Sequence, residues 1–318
     1  MTFEIARPGE RYDLLVLSQA ADISQWLDYT QGKVVYDLID SYLASPRTEF
    51  KQLFRGPAKY VTGQFKHLRL DYKGTVQEMC RRADAVVCTT DEQKRDISRF
   101  CSNVHLTLDF HSSVARQYKV DYGIGTPIRI AWEGLGVNVQ QLGVIEDVLR
   151  QLSKEFPLSL TLVTDLEHHL WLNKIGRVRS IDVAARIFDN VIIHPWTEET
   201  CARILSGCDF GVIPLDMNDP FVSGKPENKL LLMWRIGLPV VCSATPAYVR
   251  AMNAAGTPNL ACATPDEWLT ALRQLASSEQ ARRAAGQAGR GHANRVWNED
   301  AVLARWDRVL ESVGIAVN

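Results

Sequence analysis

Short runs of β-branched and apolar residues, each followed by a turn and then by an amphipathic helical pattern, recur along the whole chain. This alternation is typical of parallel α/β folds, because a parallel strand needs a crossover before the next strand can pair with it. In the first half it predicts strands at 14–18, 34–38, 85–88 and 104–107, with helices around 22–29, 65–83 and 91–101.

A second series of the same kind begins after residues 111–127, which lose apolar periodicity and have the composition of a linker. Its predicted strands are 128–132, 158–163, 191–193, 210–213 and 239–242, with a long helix over about 137–156, another over 227–236, and two or three beyond 265. We therefore expect a short N-terminal Rossmann-like domain at 1–115, a linker at 116–127, and a C-terminal Rossmann-like domain at 128–318 with a helical tail. Ligands of such domains bind at the carboxyl ends of the strands.

Composition excludes several classes of protein. The chain has 318 residues, enough for two domains, and 36 Lys and Arg balance 37 Asp and Glu, so charge gives no reason to expect a nucleic-acid partner. No apolar run approaches the roughly 20 residues needed to cross a bilayer, and no basic segment followed by an apolar run opens the chain. We expect a cytoplasmic protein. The seven cysteines form no C-x-x-C pair, and we expect no bound metal.

Three common catalytic or nucleotide-binding motifs are absent. After the strand at 128–132, Gly134 and Gly136 begin a dinucleotide fingerprint, but Val139 occupies its third glycine position. Lys225 follows a glycine as in a P-loop, but the residue after it is Pro226 rather than serine or threonine. The sequence also has no G-x-S-x-G, so it does not support an α/β-hydrolase.

The most informative segment surrounds the helix predicted at 227–236. A strand at 210–213 precedes it, a polar loop connects the two, and Lys225, Asn228 and Lys229 stand where the helix begins. The free N–H groups and positive dipole end of a helix N-terminus, together with lysine charges, favour an anion such as a diphosphate. The residues alone leave open the alternative that both lysines are solvated surface charges.

This region resembles the donor-binding part of retaining GT-B glycosyltransferases, in the family (family 4) that contains sucrose synthases and many bacterial lipopolysaccharide and capsule enzymes. The resemblance rests on Asp209, Gly211, Pro214 and Leu215, on the run from Asn228 to Leu231, and on Gly237, Pro239, Val240 and Val241. It implies two Rossmann-like domains facing a cleft. It also implies transfer of a sugar from a nucleotide diphosphate sugar to a surface-polysaccharide or lipid-linked glycan acceptor, with retention and without metal or other cofactor.

The resemblance also implies roles for individual residues, with no side chain assigned as catalytic. Leu232 occupies the position of the family's glutamate, and a leucine cannot accept a hydrogen bond from a hydroxyl. Two other interpretations stay open: a non-catalytic subunit or glycan-binding protein related to glycosyltransferases, and a nucleotide-sugar epimerase of the same fold. The implied positions are Lys225, Asn228, Lys229 and Gly134 for the diphosphate, Pro195 and Trp196 for the base, and Glu133, His111 and Ser223 for the sugar.

The stretch 47–82 is locally basic, with nine Lys and Arg against three acids, and apolar residues lie between the charges. Such a pattern is typical of a helix that rests on an anionic membrane, and equally of a solvated charged face. We therefore predict a membrane-facing or acceptor-facing surface that includes Lys51, Arg55, Lys59 and Lys66. The oligomeric state is not predicted.

Overall fold

A computed structural model describes residues 3–44, 50–171 and 175–317, except for the side chains of 50–54, 170, 171 and 175. Contacts group the chain into two α/β units. The first unit comprises Met1–Leu108, Asp219–Pro226 and Asp300–Asn318, and the second comprises Asp109–Asn218 and Glu227–Glu299. The α/β class with parallel sheets and a helical tail is confirmed. The predicted ranges 1–115, 116–127 and 128–318 follow chain order, whereas the contacts add two later segments to the first unit.

The first unit is built on a four-stranded parallel sheet with the strands in chain order. Its strands are β1 (Leu14–Ser18), β2 (Lys33–Asp37), β3 (Ala85–Cys88) and β4 (Val104–Leu106), and its helices are α1 (Phe50–Val61), α2 (Tyr72–Arg82) and α3 (Asp91–Ile97). The helix predicted at 22–29 is a single 3₁₀ turn, and the one predicted at 65–83 begins at Tyr72. It starts there because Asp71 caps it, accepting the Gly74 N–H at 2.8 Å.

Each face of the first sheet is covered by apolar side chains. On one face, Val35, Ala85 and Val87 pack against Val309 and Val313 from the last helix of the chain and the turn after it. The other face carries the larger core, which includes Leu15, Leu17, Val34, Tyr36, Leu38, Val76, Met79 and Val86. The C-terminal tail is therefore part of the first unit.

The second unit contains a six-stranded parallel sheet in the order β12-β11-β10-β5-β6-β9. The chain begins at the centre with β5 and later crosses to the other side at β10, so the topological switch point lies between these two strands. The strands are β5 (Ile128–Glu133), β6 (Leu158–Thr164), β9 (Val191–Pro195), β10 (Phe210–Ile213), β11 (Val240–Ser243) and β12 (Ala261–Cys262), and a separate antiparallel hairpin pairs β7 (Glu167–Trp171) with β8 (Ile175–Arg179).

The helices of the second unit differ from the prediction at one place. Instead of one long helix after β5, 3₁₀ turns occupy Gly136–Ile145 before α4 begins. The helices are α4 (Glu146–Leu152), α5 (Ser180–Ile187), α6 (Cys201–Ser206), α7 (Asn228–Arg235), α8 (Pro246–Ala255), α9 (Pro265–Ser277) and α10 (Glu279–Val296). The next helix, α11 (Glu299–Ser312), lies almost entirely in the first unit. None of the helices in the described ranges is long and apolar enough to cross a membrane.

The residues predicted as a linker, 116–127, pack onto the second unit. Lys119 is buried and its ammonium donates to the Cys208 carbonyl at 2.7 Å. The Tyr122 hydroxyl donates to the Gly237 carbonyl at 2.9 Å, directly after α7. These hydrogen bonds fix the segment to the ends of two elements that support the site described next.

Candidate functional site

The second unit has a pocket of about 370 Å³ beside the carboxyl end of β5. This is the edge of an open parallel sheet where ligands of doubly wound folds bind. Its walls come from residues that follow β5, β6 and β9, from the first turns of α7, and from the segment that precedes β5. The lining residues are His111, Val114, Glu133, Gly134, Leu135, Asp165, Trp196, Asn228, Lys229 and Leu232.

Lys229 is held against the backbone at the end of β5. A Cβ atom added at Gly134 would lie 2.2 Å from the Lys229 Nζ, and Gly134 has φ +153°, a conformation that side chains disfavour. The ammonium also lies 5.1 Å from the centre of the Trp132 ring. The absence of a side chain at Gly134 thus allows a cation to approach the turn after the strand.

The start of α7 adds a second source of positive potential. Glu227 precedes the helix, but its side chain makes no capping hydrogen bond to the first turn. The first N–H groups of a helix have no partner within the helix, and they carry the positive end of its dipole. With Lys229 in the first turn, this end of α7 favours a bound anion such as a phosphate.

Trp196 and Glu133 form a linked pair at the wall of the pocket. Both residues line the pocket, and the Trp196 side chain is 41% exposed whereas Glu133 is half-buried. Burial raises the pKa of Glu133, and the Lys229 charge and the Trp196 hydrogen bond only partly offset that effect. An exposed aromatic surface therefore lies beside a half-buried carboxyl group at the wall of the pocket.

Two polar atoms of this wall have no hydrogen-bond partner among the described residues. They are the His111 Nε2 and the Asn228 Oδ1, and both are buried. Burial lowers the pKa of His111, and the Asp109 charge partly offsets that effect. A neutral imidazole that donates through one nitrogen presents the other as an acceptor. In that tautomer, the His111 Nε2 joins the Asn228 Oδ1 as a second buried acceptor whose hydrogen-bonding capacity the described residues leave unused.

The apolar part of the pocket includes two residues that sequence reasoning did not assign, Val114 and Leu135. Leu232 also lines the wall and is 5% exposed. Asp165, likewise unassigned, fixes the turn after β5, because its carboxylate accepts the Gly136 N–H at 3.0 Å. Its position directly after β6 was a usable signal, since residues at the carboxyl ends of parallel strands meet at one edge.

The pocket brings together six of the predicted site residues: Gly134, Asn228, Lys229, Trp196, Glu133 and His111. Three others are not among its lining residues. Pro195 ends β9 with an exposed side chain. Lys225 and Ser223 belong to the segment 219–226 of the first unit, where the Lys225 Nζ lies 3.5 Å from the Asp40 carboxylate and the Ser223 hydroxyl donates to a backbone carbonyl.

The basic stretch of the first unit is only partly exposed. Arg55 and Lys59 are half-buried against aromatic rings, whereas Lys66 is exposed. The side chain of Lys51 lies outside the described residues.

No protein-family model and no curated protein matches this sequence. Among solved structures, the crystal structure of TarM has a TM-score of 0.63 at 10% identity and covers 93% of this chain, which spans only 54% of TarM. Sucrose-phosphate synthase from Thermosynechococcus elongatus has a TM-score of 0.62 at 13% identity, over 94% of this chain and 73% of that chain. A glycosyltransferase from Rickettsia africae has a TM-score of 0.61 at 10% identity, over 96% of this chain and 78% of that one. The chain thus has the fold of GT-B glycosyltransferases.

Proposed function

We propose that the chain is a glycosyltransferase and that the pocket of its second unit binds a nucleotide diphosphate sugar. The observation that carries this proposal is the position of Lys229. Its ammonium lies beside the turn after β5 and in the first turn of α7, so a diphosphate there meets a charge, a helix N-terminus and open backbone at once.

The other lining residues suit the rest of such a donor. The exposed Trp196 ring offers a stacking surface for a base. His111 Nε2 and Asn228 Oδ1 offer acceptors for sugar hydroxyls. Lys225, Ser223 and Pro195 stay predictions for the diphosphate, the sugar and the base.

Catalysis in this proposal comes from positioning and from stabilising charge on the leaving diphosphate. We assign no side chain as the base, and propose that the donor phosphate itself helps deprotonate the acceptor hydroxyl. The reaction then proceeds with retention at the sugar and without a metal. The acceptor class we propose is a surface-polysaccharide or lipid-linked glycan, and the place of action is the cytoplasm.

The comparisons support a nucleotide-dependent sugar transfer through the fold. A second structure, of a TarM variant, is described as a complex with UDP and α-GlcNAc-glycerol, and its TM-score is 0.59 at 11% identity over 89% of this chain and 51% of that chain. Two further neighbours are named as sucrose-phosphate synthase and as a glycosyltransferase.

One observation favours an alternative in which the protein binds its ligand without turnover. Leu232 gives the pocket an apolar wall at the position where the glycosyltransferase family that this sequence resembles has a glutamate. One hydrogen bond to the donor is therefore missing. An epimerase would instead use carboxylates, and Glu133 and Asp165 both line the pocket.

Assays of the purified protein with UDP-, GDP-, ADP-, CMP- and dTDP-sugars separate the three functions. Transfer or release of the sugar indicates a glycosyltransferase, and an epimerised donor indicates an epimerase. Binding without any product indicates a protein that binds its ligand without turnover.

Replacing Lys229 by Ala tests the site directly. After a thermal-shift screen with UDP, GDP, ADP, CMP and dTDP identifies the nucleotide, calorimetry should show at least about tenfold weaker binding of that nucleotide, because a charge-assisted hydrogen bond contributes roughly 1.5–3 kcal/mol. Binding of the matching nucleoside should change much less, since it carries no phosphate. The matched control is Lys154→Ala, which removes an exposed lysine of the same unit that is not among the residues lining the pocket. Equal losses for nucleotide and nucleoside would contradict a phosphate contact.

A further inference from the structure

The first unit has a compact group of two tyrosines and two cations, here called the tyrosine–cation cluster: Tyr42, Arg55, Lys59 and Tyr72. Tyr42 lies in the loop after the carboxyl end of β2, and Tyr72 is the first residue of α2. Arg55 and Lys59 lie on successive turns of α1. The cluster therefore lies by the carboxyl edge of its sheet, the edge at which α/β folds bind ligands.

The cations are held in place by the aromatic rings. The Arg55 guanidinium lies 4.5 Å from the centre of the Tyr42 ring and 5.2 Å from that of Tyr72. The Lys59 Nζ lies 5.0 Å from the Tyr72 ring centre, and the two tyrosine rings meet edge to face at 5.2 Å. Cation–π contacts of this kind fix the position of a charge without neutralising it.

Two like charges on successive turns of one helix repel each other. Burial and the Arg55 charge both lower the pKa of Lys59, which shows that the pair is held under electrostatic cost. An anion placed between the two cations would remove that repulsion.

The nearby carboxylates are engaged elsewhere. Asp40 accepts from the Gln19 side-chain amide at 2.7 Å and lies 3.5 Å from the Lys225 ammonium. Asp22, the carboxylate whose charge acts on Lys59, accepts from the Gln25 side chain at 2.7 Å. The Asp22 charge counteracts the lowering of the Lys59 pKa but does not cancel it.

The cluster is rich in hydrogen-bond donors, with two buried tyrosines beside two half-buried cations. Arg55 Nη2 donates to the Tyr42 hydroxyl oxygen at 3.0 Å. A tyrosine hydroxyl that accepts a hydrogen bond can still donate its own hydrogen. With a guanidinium and an ammonium beside it, the cluster offers donors and positive charge, the combination that phosphate oxygens bind.

We propose that the tyrosine–cation cluster binds a phosphate ester carried by the acceptor, so that the acceptor is a phosphorylated glycan or alcohol. That the ligand is an acceptor rests on the proposed function, whereas its phosphate follows from the cluster itself. A discrete phosphate fits better than a membrane surface, because Arg55 and Lys59 are half-buried against rings, whereas Lys66 of the same stretch is exposed.

The test is calorimetric titration of the full chain with glucose 6-phosphate and, as the uncharged match, glucose. Wild-type protein should bind the phosphate at least about tenfold more tightly, and the double variant Arg55→Gln/Lys59→Gln should lose that difference. The matched control, Lys94→Gln/Arg99→Gln, removes one exposed lysine and one exposed arginine from the same unit and should retain that difference. Tyr42→Phe keeps the ring and removes one donor, so it should weaken phosphate binding by a smaller factor and serves if the double variant does not fold.

Three results would overturn the proposal. One is equal binding of glucose 6-phosphate and glucose, and another is equal loss in both double variants. The third is binding to phosphatidylglycerol vesicles without binding to phosphatidylcholine vesicles or to glucose 6-phosphate. That result would assign the basic stretch 47–82 to a membrane surface. Lys229→Ala, measured alongside, separates this site from the donor pocket. If the protein binds the nucleotide but shows no preference for glucose 6-phosphate, only this inference is refuted. If it prefers glucose 6-phosphate but binds no nucleotide, only the proposed function is refuted.

Discussion

Glu133 places a carboxylate where the surroundings disfavour its charge. Burial raises its pKa above the ordinary value, while Lys229 and the Trp196 indole act in the opposite direction. An acid whose pKa is higher in the folded than in the unfolded state binds protons more tightly when folded. The protein therefore loses stability as pH rises from the ordinary pKa, about 4.3, through the raised one.

Glu133→Gln should remove this pH-dependent cost and keep an acceptor for the Trp196 indole. We expect the melting temperature of the variant, relative to wild type, to increase as pH rises from about 4 and to reach a plateau above the raised pKa. Thermal melting at pH 4, 5, 6 and 7.5 measures it. Asp189→Asn, at an exposed carboxylate of the same unit, should show no such trend. A pH-independent difference between Glu133→Gln and wild type would contradict the argument.

Among the residues that line the pocket, sequence reasoning predicted residues that stand at the end of a predicted strand or at the start of a predicted helix. Gly134 follows a predicted strand and Lys229 begins a predicted helix, so the carboxyl-edge rule alone is enough to bring the two together. Val114 and Leu135 carry no such signal, because apolar side chains in loops are common. The contact of Lys225 with Asp40 joins residues 185 positions apart, and no local pattern reports it.

At the scale of elements, the site depends on how closely α10 packs on α7. A Cβ added at Gly289 would lie 2.3 Å from the Trp234 ring, and one added at Gly286 would lie 2.4 Å from the Gly237 carbonyl oxygen. Both neighbours are large or rigid. The glycines of α10 therefore let the helix lie directly against the element that carries Asn228 and Lys229.

Gly289→Ala should destabilise the protein by about 1–3 kcal/mol, because the rigid indole cannot move away from the added methyl group. Gly291 is the matched position, since it lies on the same helix and nothing lies within 4 Å of its Cβ position. Gly291→Ala should stabilise the protein by about 0.5–1 kcal/mol through the lower flexibility of the unfolded chain. Thermal or urea unfolding measures both, and changes of the same sign would contradict this account.

Most strands could be predicted, because buried parallel strands appear as continuous apolar runs. β1, β3 and β10 have the predicted bounds. The hairpin β7–β8 was missed because its partly exposed, polar residues, such as His168 and His169, resemble a loop. α1 was missed as a separate helix because Gly56 and Pro57 lie inside it and lower its helix propensity.

At the scale of the whole molecule, contacts group the segment 109–127 with the second unit, which contains the pocket. It supplies His111 to the pocket wall, and it anchors Lys119 and Tyr122 to carbonyl groups beside β10 and α7. Any fragment that is to reproduce the donor pocket must therefore contain it.

A fragment of residues 109–299 should bind the nucleotide identified for the full chain, and one of residues 125–299 should bind it more weakly and melt at a lower temperature. Each lost hydrogen bond contributes about 1 kcal/mol, and the His111 wall is lost as well. Calorimetry and thermal melting of the two fragments test this. Equal affinity and stability would show that the segment does not support the pocket, and loss of binding in both fragments would show that the pocket needs the first unit.

The last helix has a consequence for how the protein is made. Val309 and Val313 cover Val35, Ala85 and Val87, residues that leave the ribosome more than two hundred positions earlier. During synthesis, that face of the first sheet stays uncovered while the entire second unit emerges and folds. The unit whose translation begins first is thus completed only after the second unit, and its uncovered Val35, Ala85 and Val87 are the surface that a chaperone would need to shield until α11 is made.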